Sequence, residues 1–234
     1  DAGFDSVDIK ACHGYLVHEL LFTVNRRNGR FGGSFENRSR FLTEAVARIR
    51  AEVPDLVPAV RLSAFDSLPG GFGQAADDPY AADLAEPLKL AGLLQSHGCG
   101  LLNITGGIPG RSPHLVRPFS RAAGGAPLPE EHPLTGVTRL LHACSAVQRS
   151  LPGLPCVSSG YSWLRQFIPG VAAAVIQKKS AVFAGLGRSS FAYPGLPADL
   201  MRSGAADPRN VCLTCSICTE LMKKGGPAGC AVRD

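Results

Sequence analysis

The sequence predicts an α/β protein, about five strand–helix units around a parallel sheet with a cysteine-rich segment after the last unit. Three observations carry that expectation. Short apolar runs alternate with stretches of helical periodicity. Gly, Pro and small polar residues fall where the runs end. Four of the eight cysteines crowd into the last 23 residues.

The first strand is expected over Phe4–Ile9, followed by a helix starting near Gly14. Glu36–Val53 reads as a strong helix, because Phe41, Leu42, Ala45, Val46 and Ile49 recur on one face with Arg and Glu elsewhere. Asp55–Leu62 is the second strand. A Gly/Pro-rich loop, Pro69–Pro79, leads to a helix over Tyr80–Ser96, and Gly100–Thr105 is the third strand. The Gly/Pro/Arg stretch from Gly106 to Pro133 exceeds an ordinary connection, and loops of that length are functional or disordered. A helix over Leu134–Ser150, a strand over Leu154–Ser158, a helix over Tyr161–Lys178 and a strand over Ala181–Leu186 complete the pattern, with a last helix after Arg188. Five such units fit a doubly wound sheet or part of an eight-stranded barrel, and a complete barrel takes about 250 residues. The expectation is therefore the C-terminal part of a TIM (β/α)8 barrel over residues 1–207, with roughly three strands missing from the start, and a cysteine-rich segment over residues 208–234. An opening at Asp1 rather than Met agrees with a piece of a longer protein.

Composition narrows the function. With 45% hydrophobic and 18% charged residues the chain suits one soluble globular domain. The net charge of +5 comes from scattered basic residues, apart from Arg26–Arg27 and Lys178–Lys179. That spread argues against nucleic acid and leaves small anionic molecules as the expected partners, with a homo-oligomer as a further possibility. No run is apolar enough to span a bilayer and no signal peptide is present, so no membrane partner is expected. Cys12, Cys99, Cys144 and Cys156 stand singly and read as small buried hydrophobes.

Cys212, Cys215, Cys218 and Cys230 form a C-x2-C-x2-C-x11-C array. Thiolates are soft ligands for iron–sulfur clusters or zinc. The tight triple run favours a [4Fe–4S] cluster, since structural zinc more often uses two separated pairs. Zinc and unligated thiols stay open as alternatives. Reduced ligand thiols point to the cytoplasm.

In a parallel strand–helix architecture the chemistry sits where strands end. The first strand runs into Lys10-Ala-Cys-His13-Gly14-Tyr15. Lys10 and His13 can both donate to a carbonyl oxygen, and Tyr15 can supply a proton or hydrogen bond. The bland reading makes His13 a cap, Tyr15 packing and Lys10 solvated. The second strand carries Arg61, costly to bury without an anionic partner such as a carboxylate or a flavin pyrimidine edge. The fourth strand runs into Ser158-Ser159-Gly160 and the fifth into Gly185-Leu186-Gly187-Arg188. Two small-residue turns in adjacent units are the arrangement of a phosphate site, to which Arg188 can add a bidentate contact. His114 and Arg117, in the long loop, read equally as substrate-facing or solvated.

Taken together, GFDSVDIKACHGYL, the Asn25–Phe41 segment, VRLSAFD and the GLGR turn resemble the Old Yellow Enzyme family of NADH:flavin oxidoreductases. The cysteine array is similar to that of the branch containing 2,4-dienoyl-CoA reductase and trimethylamine dehydrogenase. The resemblance implies an FMN-binding barrel. Arg61 would sit at the flavin N1/O2 edge, Ser159, Gly160, Gly187 and Arg188 around the FMN phosphate, and His13 and Tyr15 at the substrate. The four cysteines would hold a [4Fe–4S] cluster, which in longer members relays electrons to a C-terminal domain with a second nucleotide cofactor, FAD. Lys10 departs from the family, whose members commonly have His or Tyr there. The expected activity is NAD(P)H-driven reduction of a carbonyl-conjugated C=C bond, with Lys10, His13 and Tyr15 as catalytic residues. The alternatives are amine-type oxidation with electrons leaving through the cluster, and a zinc-stapled module without redox chemistry.

Overall fold

A computed structural model describes residues 2–75, 77–78, 81–121 and 127–233. Five strands form one sheet: β1 (Ser6–Ala11), β2 (Val57–Ser63), β3 (Leu101–Thr105), β4 (Cys156–Ser158) and β5 (Phe183–Ala184). Their spatial order is β1-β2-β3-β4-β5 and every pairing is parallel. A doubly wound sheet reverses its strand order partway. Sequential order is that of a barrel wall, so the sheet is an open arc of the (β/α) barrel type.

Between the strands lie helices α1 (Leu16–Leu21), α2 (Phe35–Glu52), α3 (Ala85–Ser96), α4 (Pro113–Val116), α5 (Pro133–Ser150) and α6 (Ile168–Gln177). After β5 come α7 (Arg188–Ala192), α8 (Leu196–Ser203) and α9 (Ile217–Lys223). Local chemistry sets the ends. Ser34 caps α2 by accepting from Asn37 N at 3.3 Å, and His132 caps α5 by accepting from Leu134 N at 3.2 Å, just before Pro133. Gln148 of α5 fixes the entry to β4, accepting from Cys156 N at 2.8 Å and donating to Leu154 O at 3.2 Å.

The main core lies between the sheet and the helices. Ala11 of β1, Val60 and Leu62 of β2, Leu102 and Ile104 of β3 and Cys156 of β4 pack there against Leu42, Val46, Leu90, Leu94, Cys144 and Val147. Side chains alternate across a strand, so Asp8, Lys10, Arg61, Ser63, Asn103 and Thr105 occupy the opposite face. One face is therefore apolar and covered by helices, and the other is polar. Tyr193, Leu196 and Val211 form a second, smaller cluster beyond β5.

The elements follow the sequence expectation with displaced ends. β1 runs to Ala11 rather than Ile9, and β4 and β5 are shorter than the apolar runs around them. The expected single helix over Tyr161–Lys178 is instead a 3₁₀ turn over Tyr161–Phe167 followed by α6. Arg165, at φ 52, breaks the spiral, and Pro169 follows near the start of α6, where its missing N–H costs nothing. The third helix begins at Ala85, and the proposed start at Tyr80 lies outside the described residues. Residues 122–126 of the long loop do as well.

Candidate active site

The polar face of the sheet has a continuous row in register: Lys10 pairs with Arg61, and Arg61 with Asn103. Nε of Arg61 and Oδ1 of Asn103 are both buried and, among the described residues, lack a hydrogen-bond partner. Asp8, two residues before Lys10, is the nearby acid. Burial pushes its carboxyl above the ordinary range, while Arg61 pulls it down through its charge and its backbone N–H. Arg61 thus has partial charge compensation and an unused donor.

Above this row the chain turns from β1 into α1. His13, at φ 64, and Gly14, at φ 75, are successive left-handed residues. A Cβ at Gly14 would lie 3.0 Å from Ile108 Cγ2, so glycine suits the left-handed backbone and spares Ile108 a shift. His13 N donates to Ser63 Oγ at 3.4 Å, and its Nε2 lies 3.3 Å from Thr105 Oγ1. Burial, then the charges of Arg61, Lys10 and Arg117, lower the His13 pKa to about 3. His13 is therefore a neutral imidazole at physiological pH, able to polarise an oxygen without bringing a charge of its own. Lys10 Nζ stands 3.3 Å from the centroid of the Tyr15 ring, a cation–π contact on the open side. Burial raises the Cys12 thiol to about 11, which leaves it unreactive within the turn.

The expected catalytic trio and Arg61 are thus assembled at one end of one strand pair. The expected phosphate residues lie at the other end of the row. Gly160 is left-handed, at φ 98, and opens the 3₁₀ turn after β4, while Ser159 Oγ donates to Ile104 O at 2.8 Å. Gly187 precedes α7 with open space where a Cβ would stand. Arg188 points elsewhere. Its guanidinium donates to Thr214 O at 3.4 Å, Ser216 Oγ at 3.2 Å and Pro118 O at 3.2 Å, tying the cysteine segment to the loop after β3.

Cys212, Cys215, Cys218 and Cys230 line one small cavity that Arg188 also borders. Among the described residues none of the four is in a disulfide. Thr214 and Ser216 adopt φ 56 and 62, curling the loop around Cys215, and Thr214 N donates to Cys212 Sγ at 3.3 Å. Among the described residues no three or more His, Cys, Asp or Glu side chains are gathered into a metal-holding set. The donors thus suit a soft metal or cluster in chemistry and in sharing one cavity, without forming a closed ligand shell. A larger cleft of about 530 Å³ opens beside them, lined by Arg111, His114, Arg117 and Lys223 together with Glu130 and Glu220. Arg117 donates from Nη1 to Thr219 Oγ1 at 3.0 Å, bridging that cleft to α9.

Sequence reasoning missed Asp8, Asn103, Thr105 and Ser63. Their signal was the two-residue alternation along β1, β2 and β3, which places them on the same face as Lys10 and Arg61.

The open parallel arc thus carries Lys10, Arg61 and Asn103 side by side on its polar face. Residues 1–89 match the NADH:flavin oxidoreductase / NADH oxidase family. That match takes in the first 89 of the chain's 234 residues. An NADH:flavin oxidoreductase of Gibberella zeae is 40% identical over 108 residues, covering 45% of this chain and 26% of that protein. An NADH oxidase of Thermoanaerobacter brockii is 28% identical over 218 residues, 92% of this chain and 29% of the relative. In fold, 98% of the chain matches 30% of a 6-hydroxypseudooxynicotine amine oxidase from Pseudomonas geniculata N1, with a TM-score of 0.72 at 21% identity. The chain spans about a quarter to a third of the length of these proteins. No helix among the described residues is long and apolar enough to cross a membrane.

Proposed function

We propose that this chain is the substrate-binding and flavin-edge part of an FMN-dependent oxidoreductase that uses NAD(P)H to reduce a carbonyl-conjugated C=C bond. The observation that carries the reading is the in-register pair of buried, unpartnered atoms, Arg61 Nε and Asn103 Oδ1, beside Lys10 and His13. One is a donor and the other an acceptor, and a pyrimidine-like ring edge offers both complements. FMN, when bound, supplies hydride. Lys10 and neutral His13 hold the substrate carbonyl oxygen as negative charge develops on it. Tyr15 is placed to protonate the adjacent carbon, with its ring steadied under the Lys10 ammonium. Arg61 would meet the flavin ring edge and offset negative charge there. Ser159, Gly160 and Gly187 hold the FMN phosphate. Arg188 reaches that phosphate only by giving up part of its hold on Thr214 and Ser216.

The four cysteines are proposed to hold a [4Fe–4S] cluster. Their shared cavity and the Thr214 N–H directed at Cys212 Sγ support it. The amine-oxidising alternative is disfavoured by Lys10, because among the described residues its ammonium makes no ion pair and would meet a cationic amine.

The test is an anaerobic visible spectrum of the full-length protein, with flavin, iron and sulfide assayed on the same sample. Flavin bands over a broad shoulder, with about four irons per FMN, are expected. Absence of FMN refutes the flavin reading. A colourless, zinc-containing protein refutes the cluster as well.

A further inference from the structure

We infer that His18 and Asp66, a buried pair outside the substrate-binding face, form a positioning device for His13. This rests on the reading of His13 as a donor to the substrate carbonyl. His18 lies in α1 and its side chain is fully buried. Its Nδ1 accepts from the backbone N–H of Gly14 at 2.9 Å, so Nδ1 carries no proton and the ring proton is on Nε2. Nε2 lies 3.2 Å from Asp66 Oδ2, close but not hydrogen-bonded among the described residues, and the Asp66 side chain is 1% exposed. Asp66 is held in turn by Phe72 N, which donates to the same oxygen at 3.3 Å. Phe22 packs edge-on against the imidazole at 5.0 Å between ring centroids.

The device answers a local problem. His13 and Gly14 are consecutive residues with positive φ, and His13 carries a Cβ that disfavours that conformation. Such a turn persists only where its surroundings over-determine it. Ser63 Oγ holds the N–H of His13 weakly, at 3.4 Å, whereas His18 holds the N–H of Gly14 at 2.9 Å. The Gly14 N–H sets the tautomer of an imidazole that lies against the Asp66 carboxylate, and the amide so held fixes the direction of the His13 ring. The logic is that of outer partners orienting a ligand histidine, transferred from a metal to a backbone turn.

The test is a double-mutant cycle in the full-length holoprotein. Reduction of the flavin by NAD(P)H and its reoxidation by cyclohexenone are timed separately. His18→Leu removes the acceptor, while His18→Asn places an amide oxygen close to where Nδ1 stood. His18→Leu is expected to slow reoxidation by roughly tenfold to a hundredfold, the scale of a misplaced catalytic group, with flavin reduction unchanged. His18→Asn should recover most of the loss. In a His13→Ala background, His18→Leu should have no further effect. Hydrogen exchange gives a readout independent of turnover: Gly14 N–H is protected in the wild type and in His18→Asn, and exposed in His18→Leu. Multiplying effects of the two substitutions, or unchanged protection of Gly14, overturn the positioning role. If His18→Leu does not fold, the same cycle is run with Asp66→Asn and decided by the same outcomes. A folded, flavin-loaded His13→Ala protein with unchanged reoxidation overturns the carbonyl-donor reading itself, and this inference with it.

Discussion

Replacing Arg38 by Met removes the clasp that ties three helices together behind the site. Arg38, in α2, has a side chain only 6% exposed. Its guanidinium donates to Leu21 O at the end of α1, to Gly33 O at 3.2 Å, and to both carboxylate oxygens of Glu86 in α3 at 2.5 and 3.0 Å. Met fills much of the aliphatic volume but makes none of these bonds. The buried Leu21 carbonyl loses its donor, a cost of about 1–3 kcal/mol. Breaking a fully buried ion pair costs about 3–5 kcal/mol. The Glu86 side chain, however, is 33% exposed, so water solvates the abandoned carboxylate and that contribution falls to about 1 kcal/mol. The expected loss is therefore about 2–4 kcal/mol. Glu86→Gln keeps one acceptor oxygen for the guanidinium and turns an NH2 that water can solvate toward the other arm, and should cost about 1 kcal/mol. The assay is native-state hydrogen exchange of the α2 amides along a urea series, which reads local opening free energy even in a larger protein. A loss under about 1 kcal/mol for Arg38→Met, or equal losses for the two variants, would refute the reasoning, because the stability would then reside in the ion pair or nowhere.

Four further outcomes are expected. The unfolded chain protonates His13 near pH 6.5 but the folded chain only near 3, so protons favour unfolding between those values. Stability should fall as pH drops through that window, by at most ~1.4 kcal/mol per unit from this residue, and His13→Gln should flatten the slope in pH-dependent urea titrations. Cys12 and Cys99, both pushed up to about 11 by burial, should resist iodoacetamide at pH 8, while the half-exposed Cys215 and Cys230 in iron-free protein react; mass spectrometry finding Cys12 labelled first would contradict this. Gly160→Ala forces a Cβ to 2.7 Å from Leu140 Cδ1 at φ 98, and should destabilise by about 1–3 kcal/mol in denaturant unfolding. Arg188→Lys keeps the charge but cannot span Thr214, Ser216 and Pro118 together, so residues 208–233 should be cut faster in limited proteolysis.

How far the fold was legible depends on the signal each element carried. α2 announced itself through a long amphipathic repeat and a Ser34 cap, and its ends fell within a residue of expectation. β4 and β5 did not. Apolar residues such as Leu154 and Ala181 continue past the paired segment into the core, so hydrophobicity overstates strand length wherever a loop is buried as well. The break at Arg165 was hidden because a left-handed arginine has no sequence signature, and Pro169 was compatible with either one helix or two. Lys10, His13, Tyr15 and Arg61 could be picked out from chemistry at strand ends. Asn103 could not, because an amide in an apolar run becomes informative only once its register beside Arg61 is known. His18 and Asp66 lie 48 residues apart in the chain, and no local pattern joins them. Arg188 shows the opposite failure. Its place in a glycine turn suggests an anion, while its guanidinium is spent on backbone carbonyls contributed from 26 and 70 residues away.

That side chain also couples two parts of the molecule. Its guanidinium holds the Pro118 carbonyl on one side and Thr214 O and Ser216 Oγ on the other, and the same residue borders the cavity shared by the four thiols. A displacement of the loop after β3 is therefore passed to the thiol cavity through one residue, and a change at the thiols is passed back to that loop by the same route.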